Sequence, residues 1–174
     1  MNFYQLLELL RRKQKAEDDN NSLLLADSCH KLGDFYVSKF DLTRALREFQ
    51  EESSIYQDEG KKMDYGRANR MIGEVFILME KYAEALKHEE LFLKISKQEN
   101  ELVEQQRAYA TIGRCYLLLG EHKSNSSNEA NKSVHDLKCA EKSFLKSLII
   151  CKELSFNQTD YNFLFIILLL YFVV

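Results

Sequence analysis

The chain has 174 residues, 45% hydrophobic and 29% charged, with no proline and no tryptophan, which suits one domain of ordinary size built from unbroken helices. Its net charge of -3 argues against a general phosphate-binding surface, and so against nucleic acid as a direct partner. Cys29, Cys115, Cys139 and Cys151 form no CxxC pair, and the apolar start FYQLLELL comes before RRKQK, the reverse of signal-peptide order. These features imply a reducing compartment, nucleus or cytosol, where thiols serve as small core residues and the Asn-x-Ser/Thr matches at Asn125, Asn131 and Asn157 are idle.

In chain order, Phe3 to Lys15 carries Phe3, Leu6, Leu7, Leu9 and Leu10 at amphipathic spacing ahead of a basic turn, and residues 1–19 read as an N-terminal capping helix. Asn20, Asn21 or Ser22 caps a helix from Leu23 to about Lys39, with Leu25, Cys29, Leu32, Tyr36 and Val37 on one face. Asp41 or Thr43 opens its partner, which turns Ala45, Leu46, Phe49, Ile55 and Tyr56 inward. The second hairpin pairs Met63 to Glu80 with Tyr82 to Lys97 across a connection short enough to force antiparallel neighbours.

A repeat organises these segments. Leu32-Gly33, Ile72-Gly73 and Ile112-Gly113 recur at forty-residue intervals, each followed three residues after the Gly by an aromatic: Tyr36, Phe76 and Tyr116. Twelve residues after the first two glycines stand Ala45 and Ala85. Gly inside a helix costs about 1 kcal/mol relative to Ala, so the spacing predicts small-against-small helix contacts, Gly33 with Ala45 and Gly73 with Ala85.

The third unit starts near Leu102, and Gly120 is expected to end its first helix. Its alanine is delayed to Ala140, fifteen residues late, so a mobile loop is predicted over 121–135, through EHKSNSSNEANKS, before a helix from Leu137 to Leu154. Residues 20–154 therefore read as three helical hairpins, an all-α solenoid of antiparallel pairs. Residues 155–174 differ in character: Phe163 to Val174 is an apolar run of 12, where a spanning helix needs about 20 residues. It reads as a false or truncated C-terminus, a plug on the open end of the solenoid, or a tail anchor.

The pattern L-G-x-x-Y/F with Ala twelve after the Gly resembles the tetratricopeptide repeat, without its usual Trp and closing Pro and with a period of 40 rather than about 34. ArgMetIleGlyGlu at Arg70 to Glu74, GlnArgAlaTyrAlaThrIleGlyArg at Gln106 to Arg114, and PheLeuLysSerLeu at Phe144 to Leu148 look like the N-terminal repeat region of the Tonsoku-like proteins, over residues 5–154. The resemblance implies a fragment of a larger nuclear scaffold of replication-fork maintenance and homologous-recombination repair, reading newly deposited histones. That family continues into further tetratricopeptide, ankyrin and leucine-rich repeats. Two other readings stand beside it: a tetratricopeptide adaptor of the spindle-orientation type, and a tail-anchored co-chaperone.

In tetratricopeptide arrays the first helix of each pair lines a concave groove, with ligand contacts three before and one, four and five after the Gly. Carried over by spacing, these are His30, Asp34, Val37 and Ser38; Arg70, Glu74, Ile77 and Leu78; and Ala110, Arg114, Leu117 and Leu118. Arg67 and Arg107, six before their glycines, extend the row. Arg forks suit carboxylates while Asp34 and Glu74 suit Lys or Arg, so the expected partner is an extended peptide or a histone tail. Alternatively, these charges pair along their own helices or sit in solvent.

His122, His135, Cys139 and Cys115 lack recognisable metal spacing, so neither metal nor cofactor is expected. No nucleophile elbow, phosphate loop, HExxH or GxGxxG is present, so no enzyme is read. The paired acids Glu51-Glu52 and Glu89-Glu90 read as solvated faces. A membrane is disfavoured as partner by the shortness of both apolar segments.

Overall fold

The computed structural model describes residues 3–124 and 130–155. Among them are α1 (Phe3–Asp18), α2 (Ser22–Ser38), α3 (Leu42–Asp58), α4 (Lys62–Leu78), α5 (Tyr82–Gln98), α6 (Leu102–Ser124) and α7 (Ala130–Ser155), and no strand. Each helix packs chiefly on its sequence neighbours, so the hairpins α2–α3, α4–α5 and α6–α7 stack as a solenoid, with α1 laid against its start.

The forty-residue repeat is itself two turns of a twenty-residue rule. From α2 to α5 every helix has 17 residues, and every connection between consecutive helices from α1 to α6 has three. The middle residue of each connection is left-handed: Asn20 (φ 50), Phe40 (59), Gly60 (67), Glu80 (59) and Asn100 (57). At each, the N–H of the left-handed residue and that of the next residue return to the helix just finished, as with Phe40 N to Val37 O at 2.9 Å and Asp41 N to Tyr36 O at 2.9 Å. This double bond pattern is the Schellman motif, and it satisfies carbonyls that the helix end would otherwise leave open. Asn21 and Asp41 then start the next helices by accepting from the N–H of Leu24 and Arg44, at 3.0 and 3.1 Å.

The third hairpin departs from its predicted layout. Helix α6 runs through Gly120 to Ser124, and α7 already begins at Ala130, so helix covers both ends of the interval read as a loop over 121–135. The extra residues lengthen both helices of one hairpin, and 125–129 lie outside the described residues. Gly120 does not terminate its helix. It is a point of close approach, where a Cβ would lie 3.0 Å from Leu137 Cδ2 and 3.3 Å from Ser133 O, and Ser133 Oγ donates to Gly120 O at 2.8 Å. Two helices that cross this tightly need a residue without a side chain at the crossing.

The predicted Gly–Ala contacts are also corrected. Ala45, Ala85 and Ala140 are buried, but the atoms nearest a Cβ on Gly33, Gly73 and Gly113 belong to Phe49, Glu89 and Phe144, one helical turn beyond each alanine. The glycines admit a large side chain from the partner helix rather than a small one. One core cluster gathers Leu32, Phe35, Tyr36, Ala45, Phe49, Ile72 and Val75, and Leu6 and Leu9 of α1 pack against it. A second joins Ala85 and Leu86 to Ile112 and Cys115. Between them Asn69 donates to Ser53 Oγ at 3.0 Å and accepts from the His88 ring at 2.9 Å, tying α3, α4 and α5 together through buried polar atoms.

Helix α1 is anchored by charge as well. Lys13 Nζ lies 2.6 Å from Glu48 and 2.7 Å from Glu51, beside Cys29. Burial works against this ammonium, but its hydrogen bonds to Glu48 and then Glu51 prevail and raise its proton affinity. Cys29, Glu48 and Glu51 converge as metal ligands would, yet their centre is filled by the protein's own cation. The apolar run Phe163 to Val174 lies outside the described residues. Among those described, no helix is long and apolar enough to cross a membrane.

Candidate peptide-binding groove

The first helices of the three pairs, α2, α4 and α6, carry all seven charged residues that spacing marked as groove contacts. On α2 the His30 ring meets Glu52 of α3 at 3.1 Å through Nδ1 and Asp34 at 3.6 Å through Nε2. The Glu52 hydrogen bond is the largest influence on His30 and raises its pKa, with Asp34 adding to the effect. Glu52 itself is buried, which pushes its carboxyl up while His30 pulls it back.

Arg67 and Arg107 are brought together by an acid that spacing did not mark. Glu104, at the start of α6, is buried and accepts from Arg67 Nε at 3.0 Å and from Arg107 at 3.1 Å. Arg67 also pairs with Asp64 at 3.1 Å, one turn earlier on α4. Two turns to the C-terminal side, Arg114 of α6 pairs with Glu74 of α4. Two ion pairs thus bridge α4 and α6 along one face, and His30 with Asp34 occupies the matching position on α2. The alternative that these charges pair along their own helices holds for His30–Asp34, Arg67–Asp64 and Arg107–Glu104. It fails for the two bridges.

Arg70 differs from the other arginines. It has no acid at ion-pair distance among the described residues, and its Nε is buried without a hydrogen-bond partner, as is Nε of Arg114. Behind them lies Glu89 of α5, fully buried with both carboxylate oxygens unpartnered. Burial first, and the Glu74 carboxylate second, push the Glu89 carboxyl well above its ordinary range, against the opposing pull of Arg70 and Arg114.

The expectation that Glu51-Glu52 and Glu89-Glu90 form solvated faces is therefore overturned for one member of each pair: Glu52 is 4% exposed and Glu89 0%. Adjacent residues on a helix do point apart, and one of each pair points inward. For Glu89 the signal stood in the sequence, since counting four residues on from Ala45, Ala85 and Ala140 gives Phe49, Glu89 and Phe144. Among the predicted hydrophobic contacts, Ile77 and Leu78 are partly covered or exposed apolar surface of α4.

Of the residues tested as metal ligands, His135 Nε2 stands 3.5 Å from Cys139 Sγ one turn along α7, whereas Cys115 is buried on α6. Burial raises the Cys115 thiol to about 12. The side chain of His122 lies outside the described residues.

The fold has a solved counterpart. The tetratricopeptide-repeat domain of Arabidopsis FLU superposes with a TM-score of 0.60 at 23% identity, covering 74% of this chain and 95% of that one. The likeness fixes the architecture as an all-α, tetratricopeptide-like solenoid. No protein-family model matches the chain. Tonsoku-like protein of Drosophila melanogaster is 45% identical over 146 residues, 84% of this chain. Those of Bos taurus and Mus musculus are 34% and 33% identical over 149 residues, 86% of this chain. The chain spans about 10% of the length of these relatives. At this identity over more than four fifths of its length, this chain belongs to the Tonsoku-like family.

Proposed function

We propose that the chain is a non-enzymatic protein-interaction module that holds an extended peptide, a histone tail among the candidates, along the face of α2, α4 and α6. In this reading it serves a nuclear scaffold of replication-fork maintenance and homologous-recombination repair, without direct contact to nucleic acid. The observation that carries it is the mixed-charge row from His30 to Arg114, cross-braced between α4 and α6 by Arg67–Glu104 and Arg114–Glu74. Charged side chains held by neighbours lose less rotamer freedom on binding than free ones, so a braced row is pre-organised for a partner.

The test is fluorescence anisotropy of a labelled histone H3 N-terminal tail peptide with the full chain. Asp34→Lys should weaken binding about tenfold, since each tenfold loss is about 1.4 kcal/mol and one charge reversal in a groove supplies that much. Equal binding by the wild type and by Asp34→Lys would place the peptide elsewhere.

A further inference from the structure

The second hairpin holds a carboxyl in a slot where the first and third hold a ring. Gly33 faces Phe49, Gly113 faces Phe144, and Gly73 faces Glu89, whose Oε1 would stand 2.7 Å from a Cβ on that glycine. A wholly buried carboxyl with both oxygens unpartnered is costly, and such groups gather where a protein uses them. We propose that Glu89 is a positioning residue for an anion subsite made by Arg70 and Arg114: with its carboxyl neutral, the two guanidiniums face the groove and take a carboxylate of an acidic peptide side chain, and with its carboxyl ionised, they turn inward to it. This inference rests on the peptide-groove reading and names one chemical group of the ligand.

The surrounding charges set the sign. Facing Glu89 are Arg70 and Glu74 from α4 and Arg114 and Cys115 from α6, and the Cys115 thiol, raised to about 12 by burial, stays neutral. Glu74 engages Arg114, which leaves Arg70 as a cation with no paired acid among the described residues whenever Glu89 is neutral. A guanidinium in that state is a fork for a planar carboxylate. Arg114 is 39% exposed on its side chain, so a ligand in the groove reaches it directly, whereas Glu89 at 0% is reached only through the arginines. Glu89 thus acts on the ligand by where it sends Arg70 and Arg114. Phe49 and Phe144 offer no such coupling, so the effect belongs to the second hairpin.

The probe is fluorescein-labelled hexaglutamate, titrated with the full chain at about pH 6 and about pH 8, a range over which its side chains and the arginines keep their charge. Wild type should bind it more weakly at the higher pH, with a slope of at most about one decade per pH unit for the one proton displaced. Glu89→Gln should keep only the shallower pH dependence that His30 contributes, and so should Glu89→Phe, which copies the flanking hairpins; Arg70→Gln should lose affinity at both. Helix content by circular dichroism establishes that each variant is folded, and if Glu89→Gln is unfolded, Glu89→Phe carries the comparison. The same pH slope in wild type and in the Glu89 variants overturns the proposal. Hexaglutamate failing to bind while the histone tail peptide binds overturns the subsite and leaves the groove standing. Failure of both peptides overturns the groove with it.

Discussion

The carboxylate of Glu89 lies directly over Gly73, with Oε1 2.7 Å, Cγ 3.2 Å and Cδ 3.3 Å from where a Cβ of residue 73 would be. At Gly33 the same test meets three ring atoms of Phe49 at 2.5 to 2.8 Å. An aromatic ring fixed in a core cannot step aside, while the end of a Glu side chain can rotate. Gly33→Ala should therefore cost about 3 kcal/mol, at the upper end of overpacking effects, and Gly73→Ala clearly less. Urea unfolding of the two variants checks the order.

Glu89 is also a stability switch with a defined sign. Its folded-state carboxyl is raised well above the ordinary 4.5, first by burial, so the folded chain holds this proton more tightly than the unfolded chain. The stability it contributes is full below 4.5 and is lost as pH rises through the folded value. Thermal melts against pH should show wild type falling relative to Glu89→Gln on the alkaline side. On the alkaline side, where the carboxyl is ionised, Glu89→Phe should exceed wild type by about 2 kcal/mol, since replacing a buried charge with a fitted apolar group is often stabilising. A Glu89→Phe protein less stable than wild type would refute the slot equivalence with Phe49 and Phe144.

The left-handed positions give a test independent of the core. Phe40 and Glu80 hold φ of 59, a conformation that costs an L-residue about 1 kcal/mol or more, and Gly60 holds φ of 67 with nothing within 4 Å of its missing Cβ. Phe40→Gly and Glu80→Gly should each stabilise by about 1 kcal/mol, and Gly60→Ala should destabilise by a similar amount through backbone strain alone. Denaturation midpoints at constant slope would register all three.

Lys13 holds α1 to the array. Its ammonium pairs with Glu48, whose side chain is 3% exposed, and removing it leaves that buried carboxylate only the longer contact to Arg47 at 3.3 Å. Lys13→Met should cost about 3 kcal/mol, and amide exchange should rise across α1 before it rises elsewhere. Lys13→Met with Glu48→Gln should recover part of that loss, as expected of a coupled pair.

The repeat is legible in the order of residues alone, because helix pairs stack only when glycine, aromatic and apolar positions return at a constant interval. Leu32-Gly33, Ile72-Gly73 and Ile112-Gly113 are that interval in plain text. It also marked His30, Asp34, Arg67, Arg70, Glu74, Arg107 and Arg114 as residues of the first helices. Tertiary structure decided what those residues touch. Spacing along one helix is local, whereas Glu104 reaching Arg67, Arg114 reaching Glu74, and Glu89 lying beneath Gly73 depend on how far one helix sits from the next and at what rotation. The same limit explains the third hairpin. A polar run such as EHKSNSSNEANKS reads as a loop by composition, but at the tip of a long hairpin the flanking residues continue their helices, because Gly120 and Ser133 let α6 and α7 stay in contact there. A solvent-exposed helical extension needs few apolar residues once its partner helix lies alongside.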